Sequence, residues 1–296
     1  MIIPNSALDK QRWDNRVLTA KPAGFFFLLS WYLDVIDSNW EGYVIGEYEA
    51  VFPIITKQKM GVNYTVMPFL TRTFNPIGFN SEQEKELSSY LAARFSYIQL
   101  AGPFLTEPFE QHNRKYQTLD LTKFELGNCS ENHRRQYKKA KQQGFELNTE
   151  VNPERLIKIF REVKGSEFTH LKETDYRVMD RLMEKANKQG CLKQYSLISN
   201  GSIIGAAAYL VVEDQALYLK GAIKPEAMKI GGMVYLHVEA MMSLKTECKQ
   251  LDFGGSNAKG LGDFNRKFGA RDQEYLLLIK NSLPKPLAWF AKRKLG

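Results

Sequence analysis

The amino-acid sequence predicts an α/β protein of two domains, and three observations predict it. Helix-type and strand-type hydrophobic periods alternate along all 296 residues, as they do where helices pack on sheets. The length allows one large domain or two of about 150 residues, two being the better reading, since single cores stop growing near roughly 250 to 300 residues. Finally, Asn200-Gly201 joins two strand-type runs, the strongest short-range hairpin signal.

In chain order, residues 30–37 carry Trp31, Leu33 and Ile36 at helical spacing, and residues 43–46 and 50–55 are strand-type runs joined by Glu47-Tyr48-Glu49, a hairpin. Residues 64–67 predict a strand, residues 81–95 a helix opened by a Ser81/Glu84 capping box, and residues 97–100 a strand. One α/β unit fills about the first 118 residues. Gly127 to Ser130 are loop and cap formers before a helix over 131–143 stopped by Gly144. A strand at 145–149 and helices at 153–164, begun by proline, and 175–189, closed by Gly190, follow. Runs 193–199, 202–212 and 215–222 make a three-stranded meander. Residues 224–232 read as a polar, glycine-ended loop, 233–246 as a helix, and 250–253 as a strand entering Gly254-Gly255-Ser256, with a short helix and a strand beyond. The tail, 284–294, predicts an amphipathic helix packing Trp289 and Phe290. Domain boundaries are expected at 1–120, joined by the tail 281–296, and 121–280.

With 44% hydrophobic and 25% charged residues the composition is that of a globular protein and excludes a disordered chain. Three widely spaced cysteines provide neither a CxxC metal pair nor a disulfide framework, and four histidines lack metal-like spacing. A reducing, cytoplasmic setting without a metal is expected. The start 1–5 lacks a signal peptide's basic region, and the apolar run 25–29 is far too short for a membrane span. A net charge of +8 suits an anionic ligand, nucleotide, tRNA or lipid headgroup, and equally a lysine-rich soluble surface.

Gly231-Gly232 directly before a helix is either a plain turn or an anion site, where free N–H groups and the helix dipole meet a phosphate. The runs Gly231-Gly232-Met233-x2-Leu236, Leu251-Asp252-Phe253-Gly254-Gly255-Ser256 and Gly260-Leu261-x2-Phe264-x3-Phe268-Gly269-Ala270 resemble the second GNAT domain of FemAB-like acyltransferases. Asn132-x-Arg134-Arg135-x2-Lys138-Lys139-Ala140-x3-Gly144 resembles the helix that opens that domain. Trp31-Tyr32-Leu33-Asp34, Glu49-Ala50-Val51-x-Pro53 and Lys59-x-Gly61-x2-Tyr64 look like the first domain of one branch of the family. The resemblance implies two tandem GNAT folds, each a mixed, mostly antiparallel central sheet flanked by helices, with substrate in a cleft between them. It also implies transfer of an acyl or aminoacyl group from acyl-CoA or aminoacyl-tRNA to an amine, on a small molecule or a cell-envelope precursor. DNA is not an implied partner, and peripheral membrane contact stays open. Two departures stand out. Asn265 occupies a place where the family often has lysine, with Arg266 or Lys267 as substitutes, and the charged coiled-coil arm of some members is missing. A catalytically degenerate, ligand-binding GNAT fold is therefore the rival expectation.

On this reading Gly231, Gly232, Met233, Arg134 and Lys138 bind the donor, Arg134, Lys138 and Lys141 sharing a helix face that equally suits a solvated surface. Asp252 suits either a base or amine contact, or a turn carboxylate on the N–H groups of Gly254 and Gly255. Its kinase-like Asp-Phe-Gly is rejected because no His-Arg-Asp loop precedes it. Tyr218 and Lys220 alternate on one strand and are expected to point together toward substrate, Tyr218 stabilising a leaving group or simply packing. Tyr64, Arg72, Ser256, Asn257 and Phe264 complete the expected substrate contacts, and His237 reads as a packing or surface histidine.

Overall fold

The computed structural model describes residues 1–102, 109–165, 171–255 and 260–283. The chain forms two compact units, one of Met1–Arg114 with Glu274 onward, the other of Lys115–Gln273.

The first unit starts with strand β1 (Ile2–Pro4) and helices α1 (Lys10–Ala20) and α2 (Ser30–Ile36), α1 capped by the Asp9 carboxylate on Arg12 N–H. Strands β2 (Glu41–Ile45) and β3 (Ala50–Ile54) form the expected hairpin, with β1 added to its edge. Trp13 and Trp40, both fully buried, meet edge to face at 4.9 Å beside the buried run Phe25 to Leu29. That run packs as a turn of 3₁₀ helix over Phe25–Leu28. A second sheet takes β4 (Lys57–Lys59), β5 (Val62–Val66) and, after helix α3 (Ser81–Arg94), β6 (Tyr97–Gly102). The cap of α3 lies one residue earlier than expected. Asn80, extended at φ −87° and ψ 172°, accepts from Gln83 N–H while Gln83 accepts from Asn80 N–H, so Ser81 is already helical.

Strand β7 (Glu110–Asp120) carries the chain into the second unit. There follow α4 (Glu131–Lys141), β8 (Glu146–Asn148), α5 (Pro153–Lys164), α6 (Glu173–Lys188), β9 (Leu192–Ser199), β10 (Ser202–Val212) and β11 (Gln215–Ile223). Next come α7 (Pro225–Lys229), α8 (Gly232–Leu244), β12 (Gln250–Asp252), α9 (Leu261–Arg266) and β13 (Arg271–Asn281), whose later part pairs with β6 in the first unit. Helix α7 corrects the expected loop at 224–232: proline at its first turn starts one short helix that closes at Ile230. The second unit's sheet runs β7-β12-β11-β10-β9-β8, antiparallel except for the β11–β12 pair. Helix α8 is apolar on nearly every side, with Val234, Leu236, Val238, Ala240, Met241 and Leu244 at 1% exposure or less, the pattern of a helix sunk in a core. The predicted tail helix lies outside the described residues.

Candidate functional site

The second unit gathers its polar chemistry around a bulge in β11. Ala208 stands opposite Lys220 and Tyr209 opposite Tyr218, so Leu219 is an extra residue without its own partner. A bulge reverses the face on which later side chains emerge. Tyr218 therefore turns toward α8, where its ring meets Tyr209 at 5.4 Å and His237 at 4.9 Å. Lys220 turns to the α5 side, its Nζ 5.2 Å above the Phe160 ring, and burial lowers its pKa. The expectation that the two point together fails at this one residue.

Tyr218 belongs to a cluster of aromatic and imidazole rings. His237, 3% exposed on α8, shares a 2.7 Å hydrogen bond between its Nδ1 and the Tyr209 hydroxyl. Around it stand Phe253, Phe264 and Phe268 at 6.1, 5.8 and 5.6 Å. Burial, with a smaller contribution from His133, pushes the His237 pKa down to about 3, so its ring is neutral. His133, on α4 and 1% exposed, donates from Nε2 to the Phe264 carbonyl at 3.1 Å, and burial brings its pKa to about 4. Burial also raises the pKa of Tyr218 and keeps it a neutral phenol. Its hydroxyl occupies room that glycine leaves, because a Cβ on Gly221 would stand 2.7 Å from it. Of this cluster only Tyr218 and Phe264 were expected, and the signal for His237 was its place within an apolar helical run.

Helix α8 begins at Gly231, left-handed at φ +88°, and no side chain caps it. The first-turn N–H groups of Gly232 and Met233 have no intrahelical acceptor and present the positive end of a dipole, whereas Gly231 N–H is taken by the Met228 carbonyl at 3.1 Å. The glycines also serve packing: a Cβ on Gly231 would stand 2.6 Å from the Gln136 carbonyl of α4, and one on Gly232 2.9 Å from the Ala227 carbonyl. Helix α4 is fastened along α8 by Tyr137, stacked on Tyr235 at 5.4 Å and donating to Glu239 at 2.6 Å. Its outer face carries Arg134, Lys138 and Lys141, all exposed.

Asp252 is 6% exposed, and its Oδ1 accepts from Gly254 N–H at 2.8 Å. Leu251 and Phe253 enter the core beneath α8, so strand alternation turns Asp252 to the other face of the sheet. Although Asp252 pairs with Leu217, next to Tyr218 in sequence, the two side chains do not converge. Asn265 is buried, donating to Gln117 at 3.1 Å, and Gln117 donates to Asp272 at 3.0 Å. Arg266 pairs with Asp272 at 2.8 Å and with Asp263, so two carboxylates already hold the cation beside Asn265.

Tyr64 is partly buried on β5 of the first unit, and Arg72 is 7% exposed in the loop after it, its guanidinium 5.4 Å from the Phe27 ring centre. Ser256 and Asn257 lie outside the described residues. The three cysteines are buried, and desolvation pushes each thiol up to about 11, which leaves no thiolate for nucleophilic work at neutral pH. Among the described residues no group of histidine, cysteine and carboxylate side chains stands together as a metal site, and no helix is long and apolar enough to cross a membrane.

Residues 127–265 match the family model described as an acetyltransferase (GNAT) domain. No curated protein matches the sequence. Among solved structures the chain is similar to FemX, with 12% identity, TM-score 0.66 and coverage of 96% of this chain and 98% of that one. It is also similar to L-PGS from Bacillus licheniformis, at 14% identity, TM-score 0.58 and 97% of both chains. A tandem GNAT protein from the clavulanic acid biosynthesis pathway matches at 11% identity and TM-score 0.55, over 96% of this chain and 99% of that one.

Proposed function

From a chain of FemAB-like, tandem GNAT fold with a GNAT domain at residues 127–265, we propose an N-acyltransferase that moves an acyl or aminoacyl group from an activated donor to an amine. The observation that carries this reading is the uncapped, glycine-opened start of α8, in the same unit as a bulged strand whose tyrosine points toward α8. Gly232 and Met233 offer backbone N–H groups to the donor's phosphate behind the Gly231 turn, with Arg134 and Lys138 of α4 supplying positive charge. Acyl-CoA fits such a donor site, and aminoacyl-tRNA is the second donor the fold accommodates.

The reaction asks little of side chains. A neutral amine attacks the donor carbonyl, the C–S or C–O bond breaks, and the amine's proton passes to water. The Tyr218 phenol, un-ionised by burial, gives its proton to the departing sulfur or oxygen and recovers one from solvent. Asp252 orders the Gly254 turn and so shapes the acceptor side with Phe264, Ser256 and Asn257. The acceptor in this proposal is a small-molecule or cell-envelope-precursor amine, and the setting is cytoplasmic.

Thermal-shift titration with acyl-CoAs and charged tRNA, followed by mass spectrometry of candidate amines, tests the proposal. Donor stabilisation and an acylated product are expected, with Tyr218→Phe lowering kcat about 10- to 100-fold at nearly unchanged KM. Absence of both donor stabilisation and product rejects it. A second reading, ligand binding without turnover, is favoured by Asn265 and by Arg266 being held by Asp263 and Asp272. Saturable donor binding with no product mass would establish it instead.

A further inference from the structure

Far in sequence from the GNAT region, the first unit buries a polar set that its own packing leaves incomplete. In the loop between β5 and α3, Arg72, Thr73 and Asn75 are 7%, 3% and 7% exposed. Thr73 Oγ1 and Asn75 Oδ1 are buried without a hydrogen-bond partner. Buried polar atoms are nearly always paired, and an orphan marks a water, an ion or a ligand group that the protein alone does not provide. Two orphaned oxygens within residues 73–75 are therefore informative.

Their chemistry specifies the missing partner. The point where a Cβ of Gly24 would stand lies 2.8 Å from Thr73 Oγ1 and 3.2 Å from Arg72 Nη2, so the hydroxyl and the guanidinium are neighbours beside the Gly24 turn. Asn75 Nδ2 donates to the Ala23 carbonyl at 2.6 Å, which ties this amide to the same turn of chain. Arg72 has a further interaction within the chain, and five N–H donors leave room for another acceptor beside it. A buried cation and a hydroxyl donor call for an oxyanion. The orphaned amide oxygen accepts only, so it takes an O–H or N–H that the same ligand carries.

We infer that Arg72, Thr73 and Asn75 form an oxyanion site that takes the carboxylate or phosphate end of a small ligand. Oxyanion binding here is independent of acyl transfer. Failure of one does not entail failure of the other.

The test is thermal unfolding of the full chain in sodium phosphate, sodium acetate and sodium chloride at matched ionic strength, for the native protein, Thr73→Val and Arg72→Gln. Phosphate or acetate is expected to raise Tm saturably over chloride, and the stronger of the two assigns the ligand class. Thr73→Val is expected to weaken that binding about tenfold, the worth of one hydrogen bond to an anion, and Arg72→Gln to abolish it. In chloride, Thr73→Val should melt no lower than the native protein, because an orphaned hydroxyl is replaced by a methyl of the same shape. No saturable gain over chloride, equal binding by Thr73→Val, or a crystal from phosphate holding only an ordered water at these atoms would overturn the inference. Should Arg72→Gln fail to fold, Thr73→Val decides.

Discussion

At the scale of single residues, the second unit's core depends on keeping two imidazoles neutral. His237 and His133 have folded pKa values of about 3 and 4, set first by burial, against about 6.5 in an unfolded chain. Below pH 6.5 the unfolded state takes up protons that the folded state refuses. Stability is therefore full above pH 6.5 and is lost as pH falls toward the folded values. The slope for His237 is about 1.4 kcal/mol per pH unit over that window. Urea unfolding between pH 7 and 4.5 should show it, and His237→Phe should flatten it relative to the native protein. Identical slopes would mean that His237 protonates without disturbing the Tyr209 bond.

Among the elements, the start of α8 separates two reasons for a glycine. Gly231 and Gly190 both have positive φ, +88° and +69°, yet a Cβ on Gly190 would meet nothing within 4 Å while one on Gly231 would strike the Gln136 carbonyl. Gly190→Ala should therefore cost only the left-handed penalty, about 1–2 kcal/mol. Gly231→Ala should cost more, roughly 2–4 kcal/mol, since backbone of α4 must move as well. Chemical denaturation of both variants measures the difference, and equal costs would show that α4 yields freely. The same comparison explains what was legible in the sequence. The Asn200-Gly201 hairpin, the helix at 153–164 and the glycine-opened α8 all write their caps and turns into local sequence, and the structure has them. Helix α1 went unread because only Trp13 and Val17 of it are buried, too few to mark a period. Strand β7 was hidden by its polar run from Gln111 to Lys115. The bulge at Leu219 has no local signal, since pairing with β10 decides it, and with it the separation of Tyr218 from Lys220.

For the whole molecule, net charge +8 leaves the donor as the question with the largest functional consequence, and electrostatics discriminates. A CoA molecule meets α8's first turn and a few cations, whereas a tRNA would span many phosphates and be drawn to the exposed row Arg134, Arg135, Lys138, Lys139 and Lys141 on α4. Each phosphate neutralised releases counterions, so the logarithm of affinity falls with the logarithm of salt by about 0.7 to 0.9 per contact. If aminoacyl-tRNA is the donor, raising salt from 50 to 200 mM should weaken binding on the order of 10³-fold, given about six contacts. Changing Lys138, Lys139 and Lys141 to glutamine should then lower the slope by about 2 to 3. An acyl-CoA donor predicts a shallow slope that the triple variant scarcely alters, because the dipole and the backbone N–H groups of Gly232 and Met233 carry most of the attraction. Equilibrium binding of labelled tRNA and of CoA across that salt range, with native and triple-variant protein, measures both slopes. Steep tRNA binding unaffected by the triple variant would remove α4 from the donor surface, since Lys138 and Lys141 share with Arg134 the outer face of the helix held against α8.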